Sequence, residues 1–210
     1  MLRNEDSTNI PRTTSWRPGC KIGPKKALTA RQVWEIRFDL QHRGLIRERA
    51  LFDLAIDSKL RGCDLVQLRV GDVSAGFEIK RRGMIIQQKT GNPVQFEITE
   101  TARESLAAWL VKRGGQPEDF LFPSRLSRCA HLGTRQYARL VRDWVSAIGL
   151  RSEEYGTHSL RRTKASLIYK QTGNIRAVQI LLGHTKIEST VRYLGVDVED
   201  ALNLAEGTDI

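Results

Sequence analysis

Cysteine is scarce in this 210-residue chain: Cys20, Cys63 and Cys129 stand far apart, with no Cys-x-x-Cys pair. An odd, scattered set supports neither a disulfide framework nor a zinc site, and fits a reducing cytoplasm. Long apolar runs are missing as well. No stretch is long enough to span a bilayer, and the opening MLRNEDSTNI lacks the apolar segment of a signal peptide. No glycine-rich phosphate loop, no paired metal carboxylates and no Ser-His-Asp order occurs, so no metal site and no cofactor is expected. Acids are the minority charge: 24 Asp and Glu face 34 Lys and Arg, a net +10. Such an excess suits a polyanionic partner, nucleic acid first, although a merely basic protein would share it.

A hydrophobic content of 40% is enough for an ordinary core. Residues 1–26 read as a flexible basic arm, with Arg3, Arg12, Arg17, Lys21, Lys25 and Lys26 against Glu5 and Asp6. Thr29 and Gln32 form a capping box that opens a helix reaching to Gly44. A second helix is expected from Ile46 to Ser58, followed by Leu60-Arg61-Gly62-Cys63-Asp64-Leu65. Phe77–Lys80, Met84–Gln88 and Val94–Ile98 read as short strands, with Lys89-Thr90-Gly91-Asn92-Pro93 as a turn. Helices then follow from Thr99 or Thr101 to Gly114 and from Thr134 to Ile148. In the second of these, Tyr137, Leu140, Val141, Trp144 and Val145 share an apolar side, so both aromatics belong to the core rather than to base stacking. Arg135, Arg139 and Arg142 share another face, suited to phosphates or to solvent.

The densest stretch runs from His158 to Tyr193. His158 and Arg161, three apart, lie on one helical face. Leu181 and Leu182 before Gly183 mark the end of a helix closed by glycine, and a new helix from about Glu188 carries Thr190, Arg192 and Tyr193. These side chains can converge only through tertiary packing.

His158-Ser159-Leu160-Arg161, Leu181-Leu182-Gly183-His184-Thr185 and Arg192-Tyr193-Leu194 together resemble the C-terminal signature of the tyrosine recombinases, the phage-integrase family. Leu60-Arg61, Asp64-Leu65 and Leu68 resemble the segment holding that family's first arginine, with aspartate for the usual glutamate and Lys59 where glycine is common. Arg162 stands where a second histidine is frequent. The resemblance spans residues 27–196 and implies an α+β fold, mainly helical with a small antiparallel sheet. Residues 197–210 would be a tail, with a short helix packing on a neighbouring protomer.

What the resemblance implies for chemistry is a strand transfer without metal or ATP. Tyr193 would attack a phosphodiester and form a 3′-phosphotyrosyl link. Arg61 and Arg161 would offset charge on the non-bridging oxygens. Lys89 would protonate the leaving 5′-oxygen, His158 would act as general base or acid, and His184 would bond the phosphate. Asp64 would orient His158 or buttress the site. Lys25, Lys26, Arg135, Arg139, Arg142 and Arg162 are candidates for DNA contact. The expected partners are double-stranded DNA with inverted-repeat sites, a homotetramer on that DNA and a host DNA-bending protein, in a cytoplasmic, nucleoid-associated setting. A helical core-binding domain of ~100 residues usually precedes this domain in the family. Here only the arm does, a layout like that of the single-domain fimbrial phase-switch invertases or of a truncated integrase. The competing readings are a type IB topoisomerase and a DNA-binding protein that does not cleave.

Overall fold

The computed structural model describes residues 25–195 except Phe77 and Arg128, together with Leu202 and Glu206. The expected arm before Lys25 and all but those two residues of the expected tail lie outside the described residues.

The body is built around one buried helix. Thr29 caps α1 (Ala30–His42) with the reciprocal Thr29–Gln32 bonds that the sequence announces. α2 (Ile46–Ser58) follows, and every residue from Ala50 to Ser58 is buried, the pattern of a helix covered on all sides. Charge within that interior is matched. Asp53, wholly buried, receives Arg37 Nε at 2.6 Å and Arg49 Nε at 2.7 Å, which binds α1 to α2. Asp57 accepts the Thr99 N–H at 2.8 Å, so an α2 side chain satisfies a free donor at the start of α5 (Glu100–Arg113).

Short helices α3 (Gly62–Val66) and α4 (Val70–Val73) lead to two separate two-stranded antiparallel sheets. The first pairs β1 (Ser74–Ala75) with β2 (Glu78–Ile79). The second pairs β3 (Arg82–Ile86) with β4 (Pro93–Glu97). β3 begins two residues earlier than the sequence pattern suggests and stops before Gln87. The cause is Gly83, which reads as a spacer but lies inside the strand opposite Phe96. A Cβ there would sit 2.4 Å from the Phe96 ring, so the ring fills the space that glycine leaves open.

α6 (Thr134–Ala147) buries Tyr137 and Trp144, as expected of core aromatics. Trp144 packs edge-on to Phe52 of α2, and its Nε1 donates to Glu48 at 2.9 Å. A 3₁₀ turn (Ser152–Glu154) leads into α7 (Thr157–Thr172), then α8 (Ile175–Leu182) and α9 (Ile187–Leu194). One core runs from Leu28 to Leu160; a second, small cluster of Ala165, Val178 and Leu182 joins α7, α8 and α9.

Candidate active site

The chain leaves α2 through Lys59, whose φ of 53° makes it the one non-glycine residue with left-handed backbone among those described. A side chain in that conformation costs about 1–2 kcal/mol. Here the side chain is itself tied down. Lys59 is inaccessible to solvent, and its Nζ donates to the Asp57 carbonyl at 2.7 Å and to Glu97 Oε1 at 2.6 Å. Lys164 Nζ completes the cluster, 2.8 Å from Asp57 Oδ1 and 3.0 Å from Glu97 Oε1. Burial draws the Lys59 pKa down against the pull of Glu97. Burial alone would raise Glu97, but Lys59 and Lys164 outweigh it and hold the carboxyl below its ordinary value.

That turn aims two groups at one place. Its carbonyl faces α7, where Arg161, 3% exposed, donates Nη1 to Lys59 O at 2.6 Å and Nη2 to Leu182 O at 2.7 Å. Leu182 ends α8, so Arg161 satisfies one of the carbonyls a helix end leaves free. Two residues beyond Lys59, Arg61 stands at the N-cap of α3 and donates Nη1 to Gln87 Oε1. One turn into α3, Asp64 Oδ1 accepts the Gln88 N–H at 3.0 Å, pinning the turn that holds Lys89. Of the two expected roles for Asp64, orienting His158 or buttressing the site, the hydrogen bond among the described residues supports buttressing, at the lysine turn.

Tyr193 comes from α9. Its hydroxyl donates to the His158 carbonyl at 3.2 Å, and its ring lies under two cations, 5.0 Å from Arg162 Cζ and 5.9 Å from Arg161 Cζ. His184 meets the same ring edge-on, with centroids 5.5 Å apart. His184 Nδ1 is paired with the buried Thr190 hydroxyl at 3.0 Å, which fixes the ring. Burial pushes the Tyr193 pKa up more than Arg161 and Arg162 pull it down, so the phenol is neutral at rest. Partial burial and the charges of Arg161 and Arg61 push His184 down to about 4. His158, exposed at the rim, is also lowered, by partial burial and by Arg161, Arg162, Arg61 and Lys89. Both histidines are thus neutral at pH 7.

The structure brings Arg61, Asp64, His158, Arg161, His184 and Tyr193 together, with Lys89 exposed on the adjoining turn and electrostatically felt by His158. It does not bring in Arg135, Arg139 and Arg142, which are exposed along α6. The Lys25 ammonium is bonded to the Glu153 carbonyl, and Lys26 to Glu154 Oε2 at 2.6 Å. Arg162 is held between the Lys25 carbonyl (2.8 Å) and the Tyr193 ring. The sequence reading missed Gln87, the pairing of Thr190 with His184 and the role of the Lys59 turn. For Gln87 a signal existed: Gly83, Ile85 and Gln87 share the inward side of β3 and its extension, where an amide needs partners. Among the described residues no group of three or more His, Cys, Asp or Glu is placed to hold a metal ion, and no helix is long and apolar enough to cross a membrane.

Comparison with known proteins defines the class. The structure superposes on the crystal structure of XerA recombinase with a TM-score of 0.72 at 20% identity, covering 88% of this chain and 65% of that one. It superposes on XerH site-specific recombinase bound to difH substrate with a TM-score of 0.68 at 20% identity, over 87% of this chain and 54% of that one. The fold is that of the tyrosine recombinase catalytic domain. In sequence the chain is 34% identical to tyrosine recombinase XerC of Chromobacterium violaceum over 163 residues, 77% of this chain and 52% of that protein. It is 31% identical to the probable integrase/recombinase YoeC of Bacillus subtilis over 159 residues, 76% of this chain and 82% of that one. Residues 26–200 match the model of the phage integrase family, and the chain belongs to that family. It spans about half the length of the XerC relative.

Proposed function

We propose that this protein is a site-specific DNA recombinase that cuts and rejoins DNA through a 3′-phosphotyrosyl intermediate at Tyr193, without metal or ATP. The observation that carries this reading is the placement of the Tyr193 ring under the guanidiniums of Arg161 and Arg162, with both catalytic arginines anchored beside it. Attack by the Tyr193 oxygen on phosphorus forms the P–O(Tyr) bond and breaks the bond to the 5′-oxygen. The phenol begins neutral, so its proton must leave as the bond forms, and His158, neutral at pH 7, accepts it. Lys89 donates a proton to the departing 5′-oxygen. Arg61 and Arg161 hold the non-bridging oxygens with the guanidinium N–H groups that their bonds to Gln87 and to the Lys59 and Leu182 carbonyls leave over. His184, uncharged and fixed by Thr190, offers its other ring nitrogen to the phosphate. Return of a 5′-hydroxyl from a partner strand reverses the step and completes exchange.

Residues 27–196 act as the catalytic domain, with residues 1–26 as a phosphate-tracking arm and 197–210 as a tail that packs on a neighbour. The partner is double-stranded DNA carrying inverted repeats, bound by four copies with the help of a DNA-bending host protein in the nucleoid. Lys25, Lys26 and the Arg135, Arg139 and Arg142 row supply phosphate contacts outside the cleavage site; exposed ion pairs such as Lys26–Glu154 are weak enough to open for them. The reading is tested with nicked suicide fragments tiled across DNA flanking the native gene, given wild type or Tyr193→Phe without metal or ATP. Covalent adducts at one repeated site, with wild type alone, are expected. Scattered adducts would mean a topoisomerase, and binding without any adduct would mean a DNA-binding protein.

A further inference from the structure

Gln87 is 1% exposed and lies just past β3, where the lysine turn closes. Its N–H donates to Asn92 O at 2.9 Å and its carbonyl accepts from Gly91 N at 2.8 Å, so the loop carrying Lys89 is clamped at this residue. The side chain points into the body, and both its oxygen and its nitrogen have partners there. Its Oε1 accepts from Arg61 Nη1 and, at 2.9 Å, from the Thr90 hydroxyl. Its Nε2 donates to Leu182 O at 3.4 Å, the same carbonyl that receives Arg161 Nη2. Gly183 permits this closeness: a Cβ there would lie 2.6 Å from Val94 Cγ2 and 3.0 Å from Gln87 Nε2.

From this geometry we infer that Gln87 is a positioning residue, setting the Arg61 guanidinium and holding the Lys89 turn in register with the carbonyl that anchors Arg161. An amide suits the task. It orients a guanidinium without neutralising it, so the charge stays available to a phosphate; a carboxylate would compete with the phosphate. An apolar side chain of similar volume would leave Arg61 without an acceptor and the turn without its anchor. The inference rests on the reading of Arg61 as a phosphate-binding group, and its test separates the two.

Arginine side-chain ¹⁵N NMR on the DNA-free protein reports the positioning directly. In wild type the Arg61 Nη–H signals should be resolved by slow rotation. In Q87A they should average, while the melting temperature and the other arginine signals hold. In single-turnover cleavage of the adduct-forming suicide fragment, Q87A should fall about 10²-fold, the scale of a misplaced catalytic group, with unchanged DNA affinity. R61A/Q87A should be no slower than R61A, because Gln87 acts through Arg61. Q87E, close to the native shape, should keep Arg61 ordered yet cleave poorly, and it stands in if Q87A does not fold. Unchanged Arg61 signals in Q87A, mobile Arg61 in Q87E, or losses that multiply in the double variant would overturn the inference. Averaged Arg61 signals in Q87A, in a protein whose wild type forms no adduct, would support the positioning and sink the recombinase reading instead.

Discussion

Arg61 and Arg161 lie beside the large core that runs from Leu28 to Leu160, with Arg161 reaching across to the Leu182 carbonyl, whereas His184 follows α8 and Tyr193 rides on α9, in the unit whose own core is Ala165, Val178 and Leu182. In α2 every residue from Ala50 to Ser58 is buried; in α9 only Thr190 is. Small, lightly packed units open more readily than large ones. The arrangement separates two needs of phosphoryl transfer. On the proposed function, the arginines that would meet developing charge are already anchored in the DNA-free protein, which avoids reorganisation during the reaction. The nucleophile on that reading is Tyr193, whose hydroxyl bonds to the His158 carbonyl and which rides on the lightly packed unit.

The contrast can be broken most severely at the joint. Arg161→Ala takes the guanidinium donor from the Lys59 carbonyl and leaves the Leu182 carbonyl only the longer bond from Gln87, and single-turnover adduct formation should fall at least about 10³-fold. Hydrogen exchange in α8 and α9 should quicken in the same variant. Removing charge from the large core should act everywhere at once. Asp53→Ala leaves Arg37 and Arg49 without their buried partner, a cost of about 3–5 kcal/mol read as a single shifted denaturation midpoint. Leu182→Ala, at a wholly buried position, should cost about 2–5 kcal/mol, with lost amide protection confined to α7, α8 and α9. Equal loss of protection in α2 would erase the distinction between the two parts.

Acid should loosen the small unit selectively. A histidine ordinarily protonates near 6.5 and folded His184 only near 4, so the unfolded form takes up the proton first. The stability of α8–α9 should be full above pH 6.5, decline between 6.5 and 4, and level off below; exchange rates at pH 7, 5.5 and 4 would follow it. The smallest effect is expected at Arg162→Ala. Loss of the cation over Tyr193, about 0.5–1 kcal/mol, should slow adduct formation a few-fold and move its alkaline rise to higher pH, since Arg162 pulls the phenol pKa down.

Much of this was legible in sequence because local rules governed it. The Thr29 capping box, the Gly183 helix end and the core aromatics of α6 each follow from spacing. The candidate site residues were legible only through the resemblance, since no local rule joins Arg61 to Tyr193. What stayed hidden was set across the fold. Lys59 departs from glycine, and nothing near it in sequence reveals that Glu97 and the Asp57 carbonyl tie it down in a left-handed turn. Gln87 and Gln88 read alike in sequence, yet one is buried on Arg61 and the other exposed. Arg162, read as a DNA contact, lies on the tyrosine because α9 folds back against α7.

The bond from Arg161 to the Lys59 carbonyl spans 102 residues of chain. During synthesis at about 5–20 residues per second, Arg61 would leave the ribosome several seconds before its partner arginine, and Tyr193 later still. A chain that ends before Arg161 therefore holds only the first of the two candidate site arginines and lacks Tyr193. If the proposed function holds, interrupted translation yields pieces that hold positive charge but cannot cut, and strand breakage is left to molecules that have been finished and folded.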